Sequence, residues 1–241
     1  MLTVFRYAFA GLLLVKVLDI AERGRVYLGL PLTALICLVW VVAAVAIARD
    51  WHGRAAAVTI AVLAVAVPVL SGMQMYNQHM YLIGSIAVVL ALRVAEATLL
   101  KVQLSIVYGF GVLAKLNEAF LSGTEVYTSA IARPFWMTFI DYEPSATVVI
   151  AASVAALCTE GGLAIALWMP RARWVAAPVG VAFHTVMLVL MTAGPISFVR
   201  LLVFGFLLVA LYLPFFEREL DNLMASRGRR SILRSLDSLP A

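Results

Sequence analysis

Side chains that could do acid–base chemistry are rare in this sequence, and several stand alone inside long apolar runs. Lys115, Glu160 and His184 each interrupt such a run, and the segment 77–79 places an asparagine, a glutamine and a histidine side by side. A neutral lysine or an imidazole can accept a proton, and a carboxyl group can donate or accept one. Polar groups in an apolar environment are costly, so those that are kept are candidates for a functional site.

Some of these isolated charges have simpler interpretations. Lys16 and Asp19 are three residues apart, so they can neutralise each other on one helix face. Arg200 could extend to a polar interface, and His184 could be an interior histidine bonded to a backbone carbonyl. Glu160 is harder to explain in this way, because it precedes a pair of glycines where helices can approach closely. It therefore requires a proton or a cationic partner.

Composition identifies the class of protein. Hydrophobic residues make up 64% of the 241 residues and charged residues 13%, with a mean hydropathy of +1.01, whereas soluble domains are about 45–50% apolar and about 25% charged. The polar residues cannot cover a soluble surface, so we predict an all-α, multi-pass protein of the cell membrane. Cys37 and Cys158 lie midway along apolar runs, which predicts buried small side chains and neither a disulfide nor a metal site.

Apolar runs predict a bundle of about eight transmembrane helices, since about 20 residues cross a bilayer. The run at 80–92 is short: it could extend through Arg93 and Glu96, which can pair at i, i+3, or it could be a partial or tilted span. The runs are 3–20, 31–48, 55–72, 80–92, 100–116, 146–169, 173–192 and 197–214.

Basic residues in the short loops predict the orientation of the bundle. We expect both termini in the cytoplasm, a transmembrane domain over residues 1–216 and a basic cytoplasmic tail over 217–241. That tail is predicted to contact anionic lipid headgroups and not nucleic acid. The inner side then receives Arg6, Arg49, Arg54, Arg93, Lys101, Arg171, Arg173 and the tail, and the outer side receives Arg23, Arg25 and Arg133.

The segment 107–127 places a lysine where a membrane helix ends. Gly109 and Gly111 precede Lys115 and admit close packing or a flat ligand. Loss of hydration makes the neutral amine of such a lysine available as a base. The following loop, 117–145, is expected to form a lid, with Pro134, Phe135 and Trp136 at the interface and Glu118, Glu125, Asp141 and Glu143 opposite Arg133.

Three short blocks, in order, resemble the membrane core of the vitamin-K-dependent γ-carboxylase family, whose bacterial relatives carry the horizontally transferred transmembrane (HTTM) domain. The resemblance covers roughly residues 1–215. Asn117 and Phe120 depart from the acidic residue and the tryptophan of the family pattern. The blocks are Asn77-Gln78-His79-Met80-Tyr81-Leu82, then Lys115-Leu116-Asn117 with Phe120 and Gly123, and then Glu160 with Phe183-His184 about 24 residues later.

The resemblance implies a site on the extracytoplasmic side. Lys115 would be the base that deprotonates reduced vitamin K or menaquinone, and His79 would share the quinone and oxygen pocket. No metal is implied. The implied lining residues of the pocket are Asn77, Tyr81, Asn117, Phe120, Glu160 and His184.

Other functions stay open at this point. The sequence shows no counterpart of the carboxylases' large lumenal domain, so we expect a small or lipophilic substrate, quinone-like or prenyl, unless a protein partner supplies that domain. A non-catalytic protein that binds a lipid, quinone or peptide is an alternative, as is a membrane cyclase using Glu160 or Asp19 as its acid. Asn77 and His79 could also simply cap a helix.

Overall fold

The computed structural model describes residues 2–75, 78–131, 143–192, 195–216 and 219, and within these ranges the chain is helical with no strand. Short connections join the longer helices. Residues Tyr127–Ile131 form a π-helical turn and Leu213–Phe216 a 3-10 turn. The α-helices are α1 Leu2–Tyr27, α2 Leu30–Ala48, α3 Gly53–Leu70, α4 Gln78–Leu92, α5 Glu96–Lys115, α6 Glu118–Leu121, α7 Thr124–Val126, α8 Ala146–Ala166, α9 Arg173–Met191 and α10 Pro195–Ala210.

Six stretches of the described chain are long and apolar enough to cross a membrane: α2, α3, α5, α8, α9 and Ser197–Phe216. α4 is apolar but has only 15 residues. α1 has 26 residues and carries Arg6, Lys16 and Asp19 along its length. The prediction of an all-α membrane protein is confirmed, and the total of eight spans stays a prediction.

The core lies where α1 packs against α2 and α10, and where α3 packs against α4. Trp40 of α2 is fully buried, and its indole nitrogen donates a hydrogen bond to the Leu13 carbonyl of α1 at 3.0 Å. α1 and α2 approach so closely near Gly24 that a Cβ there would lie 2.7 Å from the Thr33 side chain. Small residues therefore set the spacing of this helical pair, as in other membrane bundles.

At the turn between α4 and α5, the extension of the run 80–92 is not observed. Arg93 and Ala95 adopt left-handed φ values of 53° and 46°, so the helix breaks and the Arg93–Glu96 pair does not form. Arg93 instead bonds the Asp50 carboxylate at 2.8 Å, Arg6 bonds the same carboxylate at 2.8 Å, and Glu96 lies 3.5 Å from Arg6. These four residues define what we call the Asp50 end of the bundle, and the opposite end, where α5 finishes, is the Lys115 end.

The two cysteines are free thiols, and the prediction of burial is wrong for Cys158, which is exposed, while Cys37 is half-buried. The cause is the sparse packing of α8, which lies mainly against α5 and α9. An apolar run does not show which of its residues face the protein core and which face lipid, because an apolar side chain is stable in either environment.

Candidate functional site

An ion pair joins the end of α5 to the middle of α8. The Lys115 Nζ lies 2.6 Å from the Glu160 Oε2, with the lysine side chain 23% exposed and the glutamate side chain 12% exposed. Lys115 is thus the cationic partner that the isolated Glu160 requires. The pair sits at the Lys115 end of the bundle, close enough to the surface for a ligand to reach it.

A glycine one helical turn before Lys115 makes room for this pair. A Cβ at Gly111 would lie 3.0 Å from the Glu160 Oε2 and 3.7 Å from the Lys115 Nζ, and the lysine also donates to the Gly111 carbonyl at 3.4 Å. Gly109 has nothing within 4 Å of its Cβ position. The pair was predicted to admit close packing or a flat ligand, and close packing is present at Gly111.

Asn117 and Phe120 fix the chain directly after Lys115. The Asn117 side chain accepts a hydrogen bond from the Phe120 backbone N–H at 2.9 Å and donates to the Ala114 carbonyl at 2.8 Å. Asn117 is therefore the N-cap of α6, a role that an amide or a carboxylate can fill. The buried Phe120 ring lies with its centroid 5.8 Å from the Lys115 Nζ, a cation–π distance.

A chain of hydrogen bonds runs beside the ion pair. The Tyr108 hydroxyl is 2.8 Å from the His184 Nε2 and 2.5 Å from the Tyr212 hydroxyl. His184 is thus an interior histidine whose partner is a tyrosine and not a backbone carbonyl. Gly180, one turn before His184, leaves the space that the Tyr212 hydroxyl occupies, since a Cβ there would collide with it.

Sequence reasoning missed Tyr108 and Tyr212. Tyr108 precedes Lys115 by seven residues, a spacing that places both on one helix face, so periodicity carried a usable signal for it. Tyr108 and Lys115 both belong to α5, so the hydrogen-bond chain and the ion pair meet on this helix, and we call the two together the Lys115 site.

His79 lies in another polar cluster. Its ring is 8% exposed and packs 5.5 Å from the Phe204 ring, and its Nδ1 is buried without a hydrogen-bond partner. Phe204 lies one helical turn after Arg200 on α10, so His79 packs against the helix that carries Arg200. Within the described residues no contact joins His79 to Lys115, so a pocket shared by the two stays a prediction.

Lys16, Asp19 and Arg200 form the centre of this second cluster. The Asp19 carboxylate lies 2.5 Å from the Lys16 Nζ and 2.7 Å from the Arg200 Nε. The interpretation that Lys16 and Asp19 neutralise each other is confirmed. Arg200 binds the same carboxylate while its side chain stays 32% exposed. We call these three residues together with His79 the Asp19 cluster.

The other predicted pocket and lid residues are scattered or lie outside the described part of the chain. Tyr81 is 57% exposed on α4. In the lid, the Tyr127 hydroxyl donates to the Glu143 Oε1 at 3.0 Å, which raises the pKa of Tyr127. In the part of the chain that the structure describes, no three His, Cys, Asp or Glu side chains lie together as a metal would require. The residues outside that part are Asn77, Arg133, Pro134, Phe135, Trp136, Asp141 and, apart from Glu219, the tail 217–241.

No family model, curated protein or solved structure matches the chain.

Proposed function

We propose that this protein is a membrane enzyme of the γ-carboxylase-like HTTM type, in which Lys115 and Glu160 together deprotonate an acidic lipophilic substrate. A hydroquinone such as reduced vitamin K or menaquinone is the substrate that the sequence resemblance favours. The observation that carries the proposal is the 2.6 Å Lys115–Glu160 pair, whose two side chains are mostly buried but keep some exposed surface.

The pair suits proton transfer because an apolar environment penalises both of its charges. Passing one proton from the ammonium to the carboxylate yields a neutral amine and a neutral acid without separating charge. The amine can then take the hydroxyl proton of a bound hydroquinone. The ammonium that results lies beside the new phenolate and stabilises it electrostatically.

The overall chemistry that the resemblance implies uses molecular oxygen as the oxidant. The deprotonated hydroquinone adds O₂, one oxygen atom is kept as the epoxide of the quinone, and the other leaves as water. Hydroquinone plus O₂ therefore gives quinone epoxide plus H₂O, with four electrons passing from the ring to oxygen. A strongly basic oxygenated intermediate would be available to deprotonate a second substrate.

The proposal includes eight spans, with the Lys115 site at the extracytoplasmic face. Support comes from contacts at both ends of α1 and α4. Arg6 near the start of α1 and Arg93 after α4 both bind Asp50, whereas Arg23 near the end of α1 bonds the Gln74 carbonyl between α3 and α4. Both helices thus run from one end of the bundle to the other, as helices that cross the membrane must.

Oxygen uptake by the purified protein in lipid nanodiscs tests the function. With menaquinol or vitamin K hydroquinone, we expect the wild type to consume oxygen and Lys115→Ala to lose roughly 10²- to 10⁴-fold, the usual contribution of a general base. Lys101→Ala is the matched control, since it removes a lysine from the same helix, where the Nζ lies 5.7 Å from the Phe215 ring. No uptake by the wild type with either quinol would refute the proposal.

The alternative functions give different results in the same preparation. A binding protein would copurify with a quinone or lipid and consume no oxygen. A cyclase would convert a polyprenyl substrate without oxygen and would depend on Glu160. Asp19 is poorly suited to be its acid, because two cations within 2.7 Å stabilise the carboxylate form.

A further inference from the structure

The Asp19 cluster carries more positive charge than it can neutralise. Lys16 and Asp19 are each about 1% exposed, and the single carboxylate is shared by the lysine and by Arg200. Two cations and one anion leave a formal excess of one positive charge. The next charge that acts on the His79 ring belongs to Arg23, which is also a cation.

An uncompensated charge at membrane depth is costly, so a bound counter-ion is expected there. Glu22, the next carboxylate along α1, is exposed and forms no ion pair with Lys16 or Arg200 in the described part of the chain. With Lys16 protonated, Asp19 is the one carboxylate among the described residues that pairs with Lys16 or Arg200, which leaves room for a bound anion. One monoanion would balance the cluster.

Two groups of the cluster carry nitrogen atoms suited to an anion. Arg200 binds Asp19 through Nε, so the terminal nitrogens lie outside that bond, and the side chain keeps about a third of its surface exposed, at 32%. The Nδ1 of His79 is buried without a hydrogen-bond partner in a residue only 8% exposed. Buried polar atoms normally have partners, and an anion oxygen would satisfy an Nδ1–H donor.

The depth of the site indicates which anion fits. His79 is the second residue of α4, and Arg200 is the sixth residue of α10. Both helices begin at the Lys115 end, so the exposed side of the cluster lies near the level of the lipid headgroups. A planar guanidinium matches the oxygens of a phosphate group particularly well.

We propose that the Asp19 cluster binds one monoanionic phosphate group at the Lys115 end of the bundle, held by Arg200 and His79. An anionic phospholipid headgroup and free phosphate share this chemistry. The site uses α1, α4 and α10, so it does not depend on the chemistry proposed for Lys115, and absence of oxygen uptake would leave it unaffected.

Native mass spectrometry of the delipidated full chain in detergent tests the proposal. We expect phosphatidylglycerol to bind the wild type at one site more tightly than phosphatidylcholine. Arg200→Gln, which leaves the cluster neutral, should weaken that binding roughly 10- to 100-fold, as for loss of a hydrogen bond to a charged group. Arg93→Gln is the matched control, because it also removes an arginine that pairs with an aspartate, but at the Asp50 end.

His79→Phe keeps the test decisive if Arg200→Gln does not fold, and Asp19→Asn adds a test of direction among the molecules that do fold. Asp19→Asn raises the charge of the cluster and should preserve or tighten phosphatidylglycerol binding, the opposite of the Arg200 variant. His79→Phe keeps the ring and removes the nitrogen, so binding should weaken. If inorganic phosphate displaces the lipid and fills the site to the same occupancy, the free ion is the occupant. The proposal would be overturned if the two lipids bound equally and inorganic phosphate had no effect. It would also be overturned if Arg93→Gln and Arg200→Gln lost the same lipid affinity.

Discussion

The Asp19 cluster and the Lys115 site both hold charged side chains inside an apolar bundle, but the burial of these side chains differs between the two. The lysine and aspartate of the cluster are about 1% exposed, whereas Lys115 and Glu160 keep 23% and 12% of their side-chain surface. The cluster joins α1 to α10 through the buried Asp19, and the Lys115–Glu160 pair joins α5 to α8 through side chains that stay partly exposed. Asp19 and Lys16 therefore hold helices together at the core, whereas Arg200 and the Lys115–Glu160 pair keep exposed surface that a ligand can reach.

The packing of the helices explains this difference. About 50% of the stretch Ser197–Phe216, which carries Arg200, is buried, against 22% of α5, 17% of α8 and 11% of α9. The helices of the Lys115 site therefore rely more on lipid and less on neighbouring helices. Local opening is easiest where buried contacts are few, which suits the entry of a membrane-borne substrate.

The largest expected effect on stability comes from removing the shared carboxylate. Asp19→Asn leaves Lys16 and Arg200 without a buried counter-charge, and we expect the free energy of unfolding to fall by about 3–5 kcal/mol. Unfolding in mixed detergent, followed by circular dichroism without added lipid, measures it.

Asp50→Asn is the control, since Asp50 also pairs with two arginines but is 49% exposed. Its loss should be about 1 kcal/mol or less, because exposed ion pairs contribute little. Equal losses in the two variants would remove the distinction between the buried cluster and an ordinary surface network.

A smaller effect is expected at the glycine that admits Tyr212. Gly180→Ala forces the Tyr212 hydroxyl out of its place and breaks the chain through Tyr108 to His184, so we expect about 1–3 kcal/mol of destabilisation from overpacking. Gly162→Ala is the matched control, since its Cβ would meet nothing within 4 Å. A Gly180 variant as stable as the Gly162 variant would show that the hydrogen-bond chain is not packed as described.

The smallest effect is expected at the cap that follows Lys115. Asn117→Ala removes the acceptor for the Phe120 N–H, and we expect about 0.5–2 kcal/mol of lost stability. Asn117→Asp keeps the acceptor but loses the amide that donates to the Ala114 carbonyl, so in thermal unfolding it should lie between the alanine variant and the wild type. If the aspartate variant were as unstable as the alanine variant, Asn117 would act through something other than the cap.

Sequence reasoning was sufficient where a residue's own chemistry imposed a requirement. Glu160 in an apolar run demanded a partner, and Lys16 and Asp19 were spaced to bind each other. It failed where backbone conformation determined a contact, because the left-handed residues Arg93 and Ala95 separate Arg93 from Glu96. It also could not pair Lys115 with Glu160, which are 45 positions apart, because that contact depends on how α5 packs against α8.

Oxygen uptake by Lys115→Ala and Arg200→Gln, measured side by side in nanodiscs with menaquinol or vitamin K hydroquinone, tests the central claim most directly. The account predicts that the lysine variant loses roughly 100-fold or more, while the arginine variant keeps the wild-type order of magnitude per folded molecule. Loss in the arginine variant with activity retained in the lysine variant would contradict it, and would move the chemistry from the open Lys115 site to the buried Asp19 cluster.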